Sequence, residues 1–577
     1  NALDFGDLIN YSLRLFQKRP KILEQYRQQF KYLLVDEFQD TNTTQYRLLK
    51  LLAGVHGNLF VVGDSDQSIY KWRGADFRNI QRFREQFPEA QQVLLEQNYR
   101  STQTILDAAK AVIRHNPNRV HKELFTVREG GDLLYLREAY NEHEEADFVL
   151  DRIESLMLAG YSGGDIAVMY RTNAQSRVLE EAFLRSGLPY RLVGATAFYR
   201  RREVKDVIAY LRVVHNTADT VSFGRILNVP PRGIGAKTRL GLLEWASSLG
   251  IPPAEALIML ATDDTVSHPF KGRALNPLTR FGDMLNGWIM LREQLNVAEL
   301  LDVILEQTGY REYLDDGTNE GQERWENVLE LQRAAGEEED LSLSEFLEQV
   351  ALVSEADNLE ETPHATTLLT LHAAKGLEFP VVFLTGLEDG LLPHSRSLDD
   401  GEELAEERRL LYVGLTRAKD RIYLSHSFRR TFYGDSSVST PSRFLDDIPA
   451  ELIEGSSVSV RRQQSITRAA SWESSVTWSP ANRQRSTTQR APRKSLPKTR
   501  ASQTDPADRN ERPQLAEPQF HTGQMVRHAK FGEGTVIESK RIGVDEEVTV
   551  AFRGEGIKKL AASFARLEVI SDGRKNN

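Results

Sequence analysis

The chain has 577 residues, 40% of them apolar, with no cysteine and a formal net charge of −10. This length exceeds a single hydrophobic core and predicts several domains, while the lack of cysteine excludes disulfides, thiolate catalysis and Cys-ligated zinc. The acidic balance argues against coating nucleic acid by bulk charge, and no apolar run reaches the length of a membrane span.

A cytoplasmic location with no membrane partner is the default expectation, since no leader of the signal-peptide kind opens the chain. The first residue is Asn1 rather than Met, as expected of a fragment. Residues 1–30 read as one helix, with Leu3, Phe5, Leu8, Ile9, Leu13 and Phe16 at helical spacing. Residues 32–35 form an apolar run suited to a strand buried on both faces, and Asp36 and Glu37 follow where it meets solvent. Open α/β sheets place ligands beyond the carboxyl ends of their strands. In nucleoside triphosphatases an acid there holds Mg²⁺, and a neighbour orients or deprotonates the attacking water. From these two acids alone, an ordinary strand-to-loop transition would look the same.

A helix at 44–52 precedes a second buried strand, 58–62, which runs into Gly63-Asp64-Ser65-Asp66-Gln67. Gly63 permits close backbone approach, and Gln67 suits the sensing of a terminal phosphate and its attacking water. Tyr70, Trp72 and Arg73 put two stacking faces and a cation within four residues, the composition of a single-strand platform, although paired aromatics also serve as core. A third strand at 93–95 leads to Tyr99, which can stack on a base, and Arg100, which can reach a phosphate.

Three stretches, LLVDEFQDTN, VVGDSDQSIYKWRGAD and LEQNYRST, resemble motifs II, III and IV of superfamily 1 helicases of the UvrD/PcrA/Rep type, in that family's order and close to its spacing. The resemblance implies an α/β protein with two RecA-like parallel-sheet motor domains, the first one partial. Residues 101–190 continue as α/β, with a helix to about 114, strands at 133–136 and 166–169, and a helix at 144–156 between them. From 191 to 364 helical patterns dominate, as at 204–214, 297–307 and 324–335, where the family inserts its helical 2B domain. Within it, Gly233-Ile234-Gly235 before a helix exposes backbone N–H groups to a phosphate, with Arg232 and Lys237 alongside. In the family this element touches the duplex ahead of the fork; a simple helix-start turn is the plainer reading.

A strand at 366–371 leads into HAAKGLEF, which resembles motif V. The resemblance implies that Glu378 binds the ribose, with Gly376 in the same nucleotide-binding turn, and that His372 and Lys375 contact DNA and couple the two sites. EERRLLYVGLTRAK, residues 406–419, resembles motif VI, with Arg417 as the candidate arginine finger and a closing strand at 421–425.

Composition changes after Pro449. Residues 451–518 are poor in aliphatics, and 461–512 carry twelve Lys/Arg against four Asp/Glu, which predicts a disordered basic linker able to touch nucleic acid in a salt-dependent way. Trp472 and Trp478 in it have no assigned role. Strand patterns at 525–537, 548–552 and 567–570 suit a small β-barrel, similar to the Tudor-like C-terminal domain that in PcrA/UvrD helicases engages RNA polymerase. The expected domains are therefore 1–95 (first motor domain), 96–190 and 365–450 (second motor domain), 191–364 (helical insertion), 451–518 (linker) and 519–573 (barrel).

No Gly-x-x-x-x-Gly-Lys-Ser/Thr loop occurs in the sequence, although the family places one, with a glutamine motif for adenine and an inserted domain, ahead of its Asp-Glu pair. The resemblance thus implies an ATP-dependent 3′-to-5′ DNA helicase lacking its N-terminal portion, and by itself inactive in ATP hydrolysis. Asp36 would hold Mg²⁺ with Glu37, which activates water. Gln67, Arg100 and Arg417 would engage the γ-phosphate of ATP, Tyr99 would stack on adenine, and the strand would pass Tyr70 and Trp72. The implied partners are single-stranded DNA, single/double-strand junctions, RNA polymerase and repair proteins. A non-catalytic DNA- or RNA polymerase-binding protein is the alternative if the gene starts near residue 1. A helicase–nuclease of the RecB/AddA kind is disfavoured, because too little chain follows motif VI.

Overall fold

The computed structural model describes residues 3–455 and 524–569, apart from 55, 118, 129, 338–340, 357–363, 433–434, 529–531, 543–544, 553–555 and 562–567. The linker expected at 451–518, including Trp472 and Trp478, lies outside the described residues except for 451–455. Two compact units are present, Asn1–Trp478 and Ser479–Asn577.

The N-terminal segment forms two helices instead of the single one expected, α1 (Phe5–Lys18) and α2 (Pro20–Gln29). Pro20 lacks an N–H and crowds the residue before it, so Arg19 leaves the helical region at φ −129°, ψ 75° and the chain turns. Strand β1 (Leu33–Val35) pairs in parallel with β2 (Leu59–Val61) across the helix α3 (Thr43–Ala53), whose Asn42 and Gln45 form a capping box. The expectation of strands buried on both faces fails here. Leu34 is 75% and Phe60 62% exposed, so among the described residues this two-stranded sheet is packed on one face only.

After α4 (Asn79–Gln86), residues 93–95 form no strand and are exposed; β3 (Gln97–Asn98) lies just beyond, and after α5 (Gln103–Ile113) it finds a parallel partner in β4 (Phe125–Thr126). Apolar character alone did not make a strand where no neighbouring backbone lay within pairing distance.

The second α/β domain begins with β5 (Leu134–Ala139), α6 (Glu142–Leu158), β6 (Ile166–Tyr170), α7 (Ser176–Ser186) and β7 (Tyr190–Val193). A helical domain follows: α8 (Arg202–His215), α9 (Thr220–Ile226), α10 (Ala236–Leu249), α11 (Pro253–Thr262), α12 (Leu275–Leu291), α13 (Val297–Thr308), α14 (Tyr310–Leu314), α15 (Asn319–Gly336) and α16 (Leu343–Ala356). The chain then re-enters the sheet with β8 (Thr366–Thr370), β9 (Phe379–Leu384), α17 (Gly401–Leu415) and β10 (Ala418–Ser427). The hairpin β11 (Arg429–Phe432)–β12 (Asp435–Val438) forms a separate two-stranded sheet, and the short β13 (Ile453–Glu454) returns to the main one.

Seven strands pair in the order β13-β5-β10-β9-β6-β8-β7, all in parallel. β7 belongs to this sheet, so its residues 191–193 leave the helical insertion to which the sequence pattern assigned them. All five residues of β6 are buried, and their side chains alternate between two cores. Ala167 and Met169 join the core under α5 and α17; Ile166, Val168 and Tyr170 join the one under α6 and α7.

The helical domain has a core of its own, between Phe198 and Val350. Its seam with the sheet domain is ionic. Arg177 on α7, fully buried, pairs with Glu330 (2.7 Å), Glu181 (2.9 Å) and Glu337, while Arg333 pairs with Glu142 (2.5 Å) and Glu330 (2.6 Å). Among the described residues no helix is long and apolar enough to cross a membrane.

In the second unit, β14 (Met525–His528), β15 (Gly532–Ile542), β16 (Asp545–Phe552), β17 (Gly556–Ala561) and β18 (Glu568–Val569) form an antiparallel sheet in the order β17-β16-β15-β14-β18. Val526, Val536, Val548 and Val550 are buried.

Candidate nucleotide and nucleic-acid site

Asp36 and Glu37 stand at the carboxyl end of β1, both exposed. Glu37 adopts a left-handed conformation (φ 49°, ψ 41°), unique among the described non-glycine residues. This turn lets its N–H reach Asp36 Oδ1 (2.8 Å) and brings its carboxylate to Gln39, whose Nε2 donates to it at 2.5 Å. The Gln39 Oε1 accepts the Asp64 N–H (3.0 Å), which ties the ends of β1 and β2 together. A Cβ on Gly63 would collide with that amide oxygen and displace it, so the glycine leaves room for the Gln39 link.

Gln67 sits between the two α/β domains. Its Nε2 donates to Asp64 Oδ2 (3.0 Å), and its Oε1 accepts from Arg417 (3.3 Å). Arg417 is buried at the end of α17, with further bonds to the Val413 and Leu377 carbonyls. Burial, and then the Arg100 charge, lower its pKa to about 10, which leaves it a cation at neutral pH. Arg100 donates to Glu378 (2.7 Å) and to the Thr416 carbonyl (3.1 Å). Lys419 contacts the same Glu378 at 2.8 Å, and hydrogen bonds from Lys419 and Arg100 hold that carboxyl down to about 2. Gly376 occupies the left-handed region (φ 85°) in the turn before it. Tyr99 is 75% exposed, with its hydroxyl on Gln97 and its ring free to stack.

The DNA residues expected from sequence divide into two groups. Trp72 is 44% exposed, with the Arg73 guanidinium 4.5 Å from its ring centre and the His372 ring edge-on at 6.3 Å. Burial, with Arg171 and Arg73 nearby, holds His372 well below the usual imidazole range, so the ring is neutral at pH 7. Tyr70 is half-buried against the core of the second domain, and its hydroxyl donates to the His372 carbonyl (3.2 Å).

Lys375 and Arg232, both expected at the DNA, have partners within the protein. Lys375 is 6% exposed and turns inward: its Nζ pairs with Asp40, donates to the Gln67 carbonyl (2.8 Å) and lies 3.3 Å from Glu37. Arg232 is likewise committed inside the helical domain, to the Ile226 and Val229 carbonyls, the Tyr210 hydroxyl and the face of Phe281 at 4.2 Å. Gly233 (φ 80°), Gly235 at the start of α10, and Lys237 remain on the surface.

Residues 93–256 and 285–428 match the UvrD-like helicase C-terminal domain, 1–88 the UvrD/REP helicase N-terminal domain, and 522–568 the PcrA/UvrD tudor domain. Over 98% of its length the chain is 42% identical to the ATP-dependent DNA helicase PcrA of Bacillus subtilis, and it covers 74% of that protein. The chain belongs to the UvrD/PcrA helicase family. The PcrA helicases of Leuconostoc citreum (40% identical, 99% of this chain, 75% of that one) and Staphylococcus aureus (39%, 99% and 75%) are similar relatives.

Asp40, Arg119 and Lys122 also pair with motif residues of this UvrD/PcrA-type chain. Asp40 lies inside the motif that carries Asp36 and Glu37, and its Oδ1 is buried without a hydrogen-bond partner. Arg119 grips Asp66 with two bonds (2.9 and 2.7 Å), and Lys122 pairs with Asp64. Asp40 was visible as a third acid, whereas Arg119 and Lys122 lie in a stretch with no pattern to mark them.

Proposed function

We propose that this chain is the greater part of an ATP-driven 3′-to-5′ DNA translocase and helicase. The supporting observation is the cleft in which Glu37 and Gln67 of the first α/β domain face Arg417 and Arg100 of the second. Asp36 and Glu37 fit a hard cation that keeps waters and phosphate oxygens as its other ligands; among the described residues no cluster of three or more His, Cys, Asp or Glu forms a protein cage. Mg²⁺ there would neutralise charge on the phosphates of ATP.

Glu37 orients and deprotonates the attacking water, held in place by Gln39. Gln67, fixed by Asp64, presents its amide to the terminal phosphate. Arg417 comes from the opposite domain and stabilises charge on that phosphate only when the cleft is closed, a contribution of about 10³–10⁵ in rate in related chemistry. Arg100 leaves Glu378 to join it, which frees Glu378 for a ribose hydroxyl, and Tyr99 stacks on the adenine. Trp72 and the neutral His372 carry bases of the single strand, each stack worth about 1–3 kcal/mol. The surface turn at Gly233, Gly235 and Lys237 faces duplex phosphate, and the tudor domain engages a protein such as RNA polymerase.

With no phosphate-cradling loop in its sequence, the chain by itself binds single-stranded DNA and does not hydrolyse ATP. Phosphate release assayed with and without oligo-dT tests this: no turnover is expected, and DNA-stimulated hydrolysis would overturn it. In the same family architecture with the loop present, Glu37→Gln abolishes turnover but spares ATP binding; retained unwinding rejects the role given to Glu37.

A further inference from the structure

Lys375 carries a charge in a nearly closed pocket, and the groups around it belong to the other α/β domain. Its ammonium meets the Asp40 carboxylate, the Gln67 carbonyl at 2.8 Å and, more loosely, Glu37 at 3.3 Å, and lies 5.4 Å from the centre of the Tyr70 ring. Three residues earlier in the same turn is His372, whose carbonyl takes the Tyr70 hydroxyl and whose ring abuts Trp72. The turn therefore has one end plugged into the nucleotide side and the other forming the wall of the aromatic platform.

We infer that Asp40 is a positioning residue for single-strand binding: it holds Lys375 and, through the turn 372–375, sets His372 against Tyr70 and Trp72. This rests on the reading of Trp72 as a DNA platform. Asp40 itself is mostly buried, so it acts on the strand only through Lys375. One of its oxygens holds the ammonium while the other has no hydrogen-bond partner, which leaves Lys375 as its main counter-charge. Lys375 in turn is not a phosphate ligand, because its donors are spent within the protein.

The test is anisotropy of labelled oligo-dT on the full chain, titrated over a salt series, with thermal midpoints measured alongside. Asp40→Asn and Lys375→Met are each expected to weaken binding about five- to tenfold, the scale of one lost stack, and the double variant to be no weaker than either alone. The dependence of log affinity on log salt stays unchanged, since no phosphate contact is lost. Lys375→Met lowers the midpoint by leaving the buried Asp40 carboxylate unpaired, Asp40→Asn lowers it less because Glu37 stays 3.3 Å from the ammonium, and the double variant recovers part of the larger loss.

A salt slope shallower by about 0.7 in Lys375→Met would make Lys375 a phosphate ligand and overturn the inference. Unchanged binding in Asp40→Asn, or additive losses in the double variant, overturns it as well. Trp72→Ala separates this from the reading beneath it: if Trp72→Ala binds normally the platform itself is wrong, and if it binds weakly while Asp40→Asn does not, only the role of Asp40 fails.

Discussion

Inside the helical domain Trp288 has no exposed surface and packs edge-on against Tyr210 (5.7 Å) and Phe281 (6.2 Å). Across the motor cleft Ile69 and Tyr70 reach into the core of the second domain, but the other contacts run largely between charges and dipoles: Arg417 with Gln67, Lys375 with Asp40, and the Lys71 N–H with Glu406 at 3.1 Å. Burial is non-directional and short-range, so a core of close-packed rings resists being opened. Polar contacts exchange for water or for a ligand's oxygens at small net cost, so a cleft built from them can open and close. One region is made to keep its shape and the other to change partners.

That contrast can be broken at its strong end first. Trp288→Ala should destabilise the helical domain by about 3–5 kcal/mol, read as faster hydrogen exchange in α12 and α13; a loss under about 1 kcal/mol would mean that the ring cluster is not the keystone. Next comes the ionic seam. Arg177→Met removes one of the two buried cations that Glu330 and Glu337 share, leaving them Arg333 alone, and should cost about 3 kcal/mol in chemical unfolding, more than an exposed pair of the Lys71–Glu402 kind could.

Arg232→Met sharpens the comparison within the helical domain. If its guanidinium is internal, the variant should lose about 1–2 kcal/mol of stability and keep its affinity for a forked duplex, while Lys237→Met should do the reverse. Weaker fork binding by Arg232→Met at full stability would restore its phosphate role.

The smallest effect is pH-dependent. Burial pushes the Glu406 carboxyl up to about 6, above its ordinary 4.5. A raised carboxyl pKa favours the protonated folded state, so this stabilisation is complete below about 4.5 and lost as pH rises through 6. Glu406→Gln keeps an acceptor for the Lys71 N–H without the buried charge. It should therefore gain on the order of 1–2 kcal/mol over the wild type at pH 8 and little at pH 4.5. Equal midpoints at both values would contradict the burial argument.

The chemistry-bearing stretches were legible in the sequence because function fixes residue type at fixed spacing along one strand end or one turn. Asp36, Glu37, Gln67, Trp72, Glu378 and Arg417 could all be picked out that way. The helices of the insertion were legible from their period. Less legible was anything that depends on what lies opposite. β1 and β2 look fully buried by composition, yet Leu34 and Phe60 face outward, and residues 93–95 have strand character without a strand to pair with.

The sequence by itself determined the parallel-sheet class, the family and the order of the motifs, since periodicity and local spacing are properties of the chain. Only the tertiary structure decided where each cation ends up. Lys375 and Arg232 have the same formal charge whether they face a phosphate or a carbonyl, and only packing brings Asp40 or the Ile226 carbonyl within reach. A charge seeks the nearest acceptor when it is withdrawn from water, and which acceptor is nearest is a fact of three dimensions.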